Sequence, residues 1–266
     1  MEIKNPELFE RLISSSLDKG FSGWNFSYIA DRWKDSPTTW DYAKIVQKHL
    51  SPEVSLLDMD TGGGEFLSSL QPLPKTTYAT EGYAPNMHVA KSRLQTLGIK
   101  VIETPDGNDS LPFPARFFDF VLNRHGSYSP PEIYRILKPN GVFNTQQVGG
   151  QNNFEINEIL QDSPEFIYSY WKLSLAVDQL RAAGFEILEQ QEEFPEGRIL
   201  DIGALVYYLK VISWQIADFS IERYYHKLAA LHNEIQENGE IKVRSHRFLI
   251  VAKIRVTNFM NPGNYL

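Results

Sequence analysis

The sequence predicts an α/β fold in which helices cover both faces of a doubly wound parallel sheet. Short apolar runs alternate with helical stretches along the chain, as repeated strand–helix–strand units require. One such unit, Val54 to Leu67, reads as an apolar strand, an acid at its end, a glycine-rich turn and the start of a helix. A turn of this kind brings backbone N–H groups close to a small ligand. The fold and the position of a ligand site are therefore predicted together.

Composition narrows the classes of function. The chain has 266 residues, 42% of them hydrophobic, which is enough for one large domain with a full core. It contains no cysteine, which excludes disulfides, thiolate metal sites and a thiol nucleophile. The formal net charge of −7 argues against a general nucleic-acid binder, because such proteins usually present a basic surface.

Targeting and metal signals are not recognised in the sequence. The first residues lack the basic start and apolar core of a secretory signal. The most apolar stretch, Ile202 to Ala217, is interrupted by Lys210 and is too short and too polar to cross a bilayer. His and carboxylate residues show no metal-ligand spacing. We therefore expect a cytoplasmic protein with no membrane span and no metal.

The glycine loop fits two common nucleotide-binding loops poorly. A phosphate-binding P-loop ends in Gly-Lys-Ser/Thr, and no Gly-Lys pair follows Gly64. A dinucleotide fingerprint needs a small third residue where this chain has the bulky Leu67. An acid at the mouth of the loop also favours a ligand with an ammonium group and hydroxyls over a phosphate.

The loop resembles motif I of the class I S-adenosylmethionine-dependent methyltransferases, an acid followed by Gly-x-Gly-x-Gly. Asp58 matches the acid, and Gly62 and Gly64 match the second and third glycines. Asp60 stands where the first glycine is usual. Because Asp tolerates left-handed backbone better than most residues, we expect Asp60 to take a glycine-like conformation or to contact the cofactor's amino group.

A second acid follows the next predicted strand, Thr77 to Thr80. Glu81 lies 23 positions after Asp58, close to the spacing at which a second strand presents an acid to ribose hydroxyls. A carboxylate can accept two hydrogen bonds from a vicinal diol. The resemblance implies that Glu81 binds the ribose, that Gly82 beside it contacts the cofactor, and that Tyr83 packs on the adenosine. A helix over 86–97, stopped by Gly98, and a third strand over 99–102 are predicted next.

The loop that leads to Leu111-Pro112-Phe113 resembles the family's adenine-binding loop. An acid just before this tripeptide binds the adenine amino group in the family. Asp106, with Gly107 beside it, is assigned to that role, and Asn108 and Asp109 remain open as alternatives.

The next segments resemble motif IV and the strands that complete the family's sheet. Residues 117–123 are predicted as the fourth strand, with Asn123 as a cofactor contact. His125, just beyond the strand, is the candidate general base for a hydroxyl or ammonium acceptor. Residues 130–143 then resemble the family's helix, a Lys-Pro-x-Gly turn with positive φ at Asn-Gly, and the fifth strand. Residues 180–187 and 248–253 supply a helix, the sixth strand and a last strand, which is typically antiparallel in this family.

The resemblance implies a Rossmann-like seven-stranded sheet in a single methyltransferase domain, 1–266. Its parts are an N-terminal helical cap (1–40), a cofactor-binding core (41–194), a helical insertion that forms a substrate lid (195–245), and the last strand and tail (246–266). The implied cofactor is S-adenosyl-L-methionine.

A small-molecule methyl acceptor is favoured by the acidic charge and by aromatic residues in the two regions outside the core, such as Trp24, Trp40, Tyr207, Tyr208 and Trp214. The alternatives are an RNA or protein methyltransferase of the same fold and a non-catalytic cofactor-binding protein.

Overall fold

The computed structural model describes residues 2–22, 24–104 and 107–255. Asp106 and the predicted tail after residue 255 therefore lie outside the described residues. The helices are α1 (Pro6–Asp18), α2 (Tyr42–Gln47), α3 (Glu65–Ser69), α4 (Ala84–Leu94), α5 (Pro130–Ile136), α6 (Phe154–Leu160), α7 (Leu173–Ala182), α8 (Ile202–Val211) and α9 (Ile221–Asn238). The strands are β1 (Trp33–Asp35), β2 (Ser55–Met59), β3 (Thr76–Glu81), β4 (Lys100–Glu103), β5 (Phe118–Arg124), β6 (Leu137–Val148), β7 (Phe185–Glu193), β8 (Glu196–Ile199), β9 (Ile241–Arg244) and β10 (Arg247–Ile254).

A seven-stranded sheet forms the centre of the fold, in the order β4-β3-β2-β5-β6-β10-β7. The pairs β2–β3, β2–β5, β3–β4 and β5–β6 are parallel. All five residues of β2 are buried, as expected for a central parallel strand with both faces covered. The predicted α/β fold with a doubly wound sheet is confirmed.

The last strand runs antiparallel to its neighbours, as the sequence predicts. Gly149 N, just after β6, donates to the carbonyl of His246, just before β10 (2.9 Å). Arg255 N, just after β10, donates to the carbonyl of Gly184, just before β7 (3.1 Å). The end of one strand therefore meets the start of the next on both sides of β10, which antiparallel pairing requires.

Predicted and observed elements differ mainly at their ends. The helix predicted over 86–97 begins two residues earlier, and its last turn, Gln95–Leu97, is a 3₁₀ turn before Gly98 (φ 74°). In the Lys-Pro-x-Gly turn, Asn140 takes the positive φ (65°). Gly141 is required there for space, because a Cβ would lie 2.8 Å from the carbonyl oxygen of Lys138.

The chain divides into two compact units. Of the described residues, 42–147, 173–191 and 249–255 form the sheet unit, and 2–41, 148–172 and 192–248 form the three-stranded unit. The three-stranded unit contains the antiparallel sheet β1-β8-β9, in which Trp33 pairs with Ile199 and Ile199 with Ile241. Its core is formed by α1, α6, α8 and α9 against this sheet, with Phe9, Tyr207 and Leu228 almost fully buried.

Segments 1–40 and 195–245 thus share one sheet and one core within the three-stranded unit. The predicted helices are present in both, and the structure adds β1 to the first segment and β8 and β9 to the second. The division into one domain with a cap and a lid stays a prediction. Among the described residues, no helix has the length and apolar character that crossing a membrane needs.

Candidate functional site

The candidate site lies at the carboxyl edge of the seven-stranded sheet. The chain passes from β2 outward to β3 and β4 on one side, and from β5 to β6 on the other, so the strand order reverses between β2 and β5. In open α/β sheets, ligands bind outside the carboxyl ends of strands at such a switch point. Asp60 and Asn123 lie at these two strand ends, and Glu81 ends β3 beside them.

The glycine loop after β2 has the conformation that its sequence predicts. Asp60 (φ 52°), Gly62 (φ 64°) and Gly64 (φ 78°) all take left-handed backbone. Thr61 N donates to the carbonyl of Thr80, which ties the loop to β3 (2.9 Å). A Cβ on Gly64 would lie 2.8 Å from Leu94 Cγ, so α4 can pack against the loop only because this residue is glycine.

Asp58 is a buried acid at the end of β2, with 3% of its surface exposed. Thr61 Oγ1 donates a hydrogen bond to Asp58 Oδ2 (2.7 Å). Burial raises the pKa of the Asp58 carboxyl to about 7, although the Thr61 hydrogen bond opposes the shift. Nearby Asp60 and Glu81 raise the pKa further, and Arg124 lowers it. A positively charged ligand would offset the electrostatic repulsion among these acids.

Glu81 is also buried, with 4% of its surface exposed. Its Oε1 accepts a hydrogen bond from Tyr83 N (2.7 Å), and its Oε2 accepts a long one from Asn86 Nδ2 (3.4 Å). These contacts fix the carboxylate and leave lone pairs for further donors. A Cβ on Gly82 would lie 2.7 Å from the carbonyl oxygen of Thr104, so glycine allows the ends of β3 and β4 to approach. The Tyr83 ring is about half exposed.

Asp60 joins three loops of the sheet unit. Its Oδ2 accepts a hydrogen bond from Asn108 Nδ2 (2.6 Å), and the same Asn108 nitrogen contacts the carbonyl oxygen of Ser127 (2.9 Å). A Cβ on Gly126 would overlap Asp60 Oδ2, so the carboxylate lies directly against the loop after β5. Burial raises the pKa of Asp60 to about 6, the Asn108 hydrogen bond lowers it, and Glu81 raises it.

Asn123 anchors a buried polar network at the ends of β5 and β6. Its Oδ1 accepts hydrogen bonds from Thr145 Oγ1 (3.0 Å) and Gln147 Nε2 (2.7 Å). The Tyr42 hydroxyl donates to the carbonyl of Asn123 (3.0 Å) and lies 3.2 Å from that of Asn144. Burial raises the pKa of Tyr42, so its hydroxyl stays a donor.

His125 lies at the surface beside this network. It takes left-handed backbone (φ 67°), and its amide donates to the carbonyl of Gln146 (2.8 Å). Its Nε2 is 3.1 Å from Gln146 Nε2, so that ring nitrogen accepts from the Gln146 amide. The preceding residue, Arg124, places its guanidinium over the ring of Phe66, 4.8 Å from the ring centroid. The Nε2 of His125 is therefore engaged by Gln146, and the residue is exposed.

The structure brings most of the predicted residues to one sheet edge. In the predicted adenine loop, Gly107 takes left-handed backbone (φ 85°), Asp109 is exposed, and Asn108 is the residue that turns inward. Sequence reasoning missed Tyr42, Thr61, Asn86, Gly126 and Gln147. The run Asn144 to Gln147, four polar residues in a strand that is buried in the middle of the sheet, is a signal that could have indicated the polar network.

Within the described ranges, no three His, Asp or Glu side chains are grouped as a metal site would need. The acids at the sheet edge are instead arranged around a glycine loop and buried amides.

Residues 57–145, about a third of the chain, match the family model described as a methyltransferase domain. The match runs from the middle of β2 into β6 and covers most of the candidate site, with Tyr42, Gln146 and Gln147 outside it. Protein-L-isoaspartate O-methyltransferase 1 of Nitrosospira multiformis is 32% identical over 94 residues, which are 35% of this chain. The chain covers 40% of the length of that relative.

Solved structures share the fold at low identity. A protein from Bacillus halodurans, provisionally described as a methyltransferase, superposes with a TM-score of 0.56 at 19% identity, over 80% of this chain and 98% of its own. The [4+2]-cyclase SpnF superposes with a TM-score of 0.51 at 17% identity, over 94% of each chain. At this level of identity the likeness shows the fold alone, and a shared fold hosts more than one chemistry.

Proposed function

We propose that this chain, whose residues 57–145 match the family model described as a methyltransferase domain, is a class I S-adenosylmethionine-dependent methyltransferase that transfers a methyl group to a small-molecule acceptor. The family is the one recognised from the sequence, and S-adenosylmethionine is its cofactor. The single observation that carries the proposal is the arrangement at the switch point. There, a left-handed glycine loop lies between two buried acids, Asp58 and Glu81, at the ends of adjacent parallel strands.

Two buried amide atoms support the fit of this cofactor. Asn108 Oδ1 and Asn123 Nδ2 have no hydrogen-bond partner among the described residues, although both side chains are more than nine-tenths buried. A buried polar atom without a partner costs free energy, and a bound ligand can supply the missing partner. An acceptor such as Asn108 Oδ1 suits the amino group of adenine, so we assign to Asn108 the adenine contact that the sequence left open.

The proposed binding roles follow from chemistry and position. Glu81 accepts hydrogen bonds from the ribose diol through lone pairs that Tyr83 N and Asn86 leave available. Asp58 and the backbone of the loop from Asp60 to Gly64 hold the methionyl end, whose ammonium lies toward Asp58. The half-exposed ring of Tyr83 packs on the adenosine.

Bound S-adenosylmethionine supplies an electrophilic methyl group on a sulfonium. The chain's own contribution is proximity, alignment and exclusion of water, which together can account for roughly 7–11 kcal/mol of a barrier in favourable cases. His125 accepts the acceptor's proton at Nε2, where the acceptor replaces the hydrogen bond from Gln146; the residue follows β5 at the switch point and is exposed. Asn123 fixes the strand end that carries His125 through its bonds to Thr145 and Gln147.

A small-molecule acceptor is supported by charge and by surface chemistry. The net charge of −7 disfavours a polyanion such as RNA. Of the aromatic residues outside the sheet unit, Tyr207 and Trp40 are buried, whereas Trp24 and Trp214 are about half exposed with their ring centroids 6.1 Å apart. The lid role of residues 195–245 stays a prediction.

The proposal is tested with methyl-labelled S-adenosylmethionine and three classes of acceptor. The first is a set of small hydroxyl, amine and thiol compounds, the second is bulk RNA, and the third is a protein extract. We expect label in the small-molecule fraction and less of it with Glu81→Gln. Label in RNA or protein would instead support the alternative methyltransferases. Cofactor binding by calorimetry without transfer to any class would support a non-catalytic cofactor-binding protein.

A further inference from the structure

We propose that Asp60 makes the site selective for the charge state of the cofactor, so that positively charged S-adenosylmethionine binds more tightly than its uncharged thioether product. This inference rests on the proposed function, because it concerns the same site. It assigns to one residue of this chain a role in discriminating substrate from product.

The carboxylate of Asp60 lies at the switch point, where a ligand is expected. Asp60 follows β2, and its Oδ2 lies against Gly126 in the loop after β5, so it spans the two strands between which the order reverses. The left-handed backbone of Asp60 and the hydrogen bond from Asn108 hold the side chain in this position. A glycine at this place would leave the same spot uncharged.

A buried polar group, the Asn123 amide, faces the same spot. A Cβ placed on Gly126 would overlap Asp60 Oδ2 and would lie 2.9 Å from Asn123 Nδ2. Asn123 is fully buried, and that nitrogen has no hydrogen-bond partner among the described residues. A partly buried carboxylate and a buried unpartnered amide therefore converge beside Gly126. This convergence indicates a place that a ligand completes.

The charges around Asp60 favour a cation. Within the described residues, the charged groups that interact with it are the acids Asp58 and Glu81, and its hydrogen-bond donor, Asn108, is neutral. A carboxylate that is largely withdrawn from water and flanked by acids is costly unless a positive charge compensates it. The ligand at this spot is therefore expected to be positively charged.

The sulfonium is the charge that fits this position best. The cofactor's ammonium belongs to a zwitterion, whose own carboxylate partly cancels it and would be repelled by Asp60. The sulfonium is a single permanent charge with no attached anion. During transfer, the carbon–sulfur bond breaks, its electron pair stays on sulfur, and the product is a neutral thioether. Asp60 then loses its compensating charge, which favours release of the product.

The experiment compares the affinities of S-adenosylmethionine and S-adenosylhomocysteine by calorimetry, at about pH 8, for the wild type, Asp60→Asn and Asp60→Gly. Both replacements suit left-handed backbone, so the loop keeps its conformation. We expect each to weaken S-adenosylmethionine binding about tenfold while the product's affinity changes less than twofold. The matched control is Asp178→Asn, which removes the same charge from an exposed position of α7.

The outcomes separate this inference from the proposed function. If both ligands weaken equally, Asp60 contacts the ammonium or supports the loop, and the inference is overturned. The same holds if neither affinity changes. A wild-type chain that binds neither ligand would overturn the proposed function and this inference with it. Melting temperatures of the variants, measured in parallel, establish that each is folded.

Discussion

The hydroxyl of Thr61 donates a buried hydrogen bond of 2.7 Å to Asp58 Oδ2 at the start of the glycine loop. Thr61 is 9% exposed and Asp58 is 3% exposed, so water contributes little to solvating this carboxylate. One neutral donor does not offset the cost of burying a charge. The free protein therefore carries an unfavourable charge at this position, which a cationic ligand can compensate.

We expect Asp58→Asn to stabilise the ligand-free protein at alkaline pH. The folded-state pKa of Asp58 is raised from 3.8 to about 7, so between these values the folded state keeps a proton that the unfolded state has lost. Stability contributed by this group therefore falls as pH rises from about 4 to 7, and the loss is complete above that range. Asparagine can still accept from Thr61 and does not titrate.

At about pH 8 the variant should exceed the wild type by roughly 1–3 kcal/mol in free energy of unfolding, with the difference vanishing near pH 4. Urea unfolding at several pH values measures this, with Asp178→Asn as the charge-matched control. A difference that does not change with pH would contradict the explanation.

The sheet unit could be predicted from sequence because each of its signals is local. The apolar run of β2, the glycines of its loop and the Gly98 stop each specify backbone conformation within a few residues. The left-handed conformation expected for Asp60 as one of two possibilities is observed for the same reason. Parallel order then follows from the alternation of strands and helices.

The strands of the three-stranded unit could not be predicted because their pairing is set at long range. β1 has three residues, and β8 and β9 have four each, too few to show a period. Ile199 pairs with Trp33 and with Ile241, which are far from it in sequence. Likewise, no local pattern joins Asn123 to Gln147 or Asp60 to Asn108, because these contacts depend on neighbouring strand ends.

Glu81→Ala should weaken S-adenosylmethionine binding by roughly 1.5–3 kcal/mol, the scale of hydrogen bonds to a charged group. Glu81→Gln, which retains one acceptor oxygen, should lose less. Calorimetry measures both. The control is Glu186→Gln, at an exposed position of β7 on the opposite edge of the sheet. Wild-type affinity in Glu81→Ala would show that the ribose is held elsewhere.

Gly126→Ala should lower the melting temperature of the protein because the added methyl group would overlap Asp60 Oδ2. The double variant Gly126→Ala/Asp60→Gly removes the overlapping carboxylate and should recover part of the lost stability. Thermal melts of the wild type, the two single variants and the double variant then give the interaction energy between the two positions. Gly20→Ala is the control, since a Cβ there meets no atom within 4 Å. Additive effects of the two changes would mean that Asp60 and Gly126 are not in contact.

His125→Asn should lower kcat by about 10²–10⁴ with unchanged S-adenosylmethionine affinity, if the acceptor must lose a proton. Asparagine suits the left-handed backbone at this position (φ 67°), so the loop conformation and the backbone hydrogen bond from residue 125 to Gln146 are kept. Calorimetry and the labelled-methyl assay on the same preparation separate binding from turnover. An unchanged kcat would remove His125 from the reaction and leave it as a surface residue.

Asp60→Val should abolish cofactor binding, whereas Asp60→Gly should retain it at reduced affinity. Left-handed backbone (φ 52°) costs an ordinary L-residue roughly 1–2 kcal/mol, and a β-branched side chain fits it worst. Valine would therefore force the loop to move, which would displace Gly62 and disturb the hydrogen bond from Thr61 N to the carbonyl of Thr80. Glycine relieves the strain and loses only the carboxylate. Thermal shift with and without S-adenosylmethionine tests both variants, and equal binding by the Val and Asp forms would show that the loop does not need this conformation.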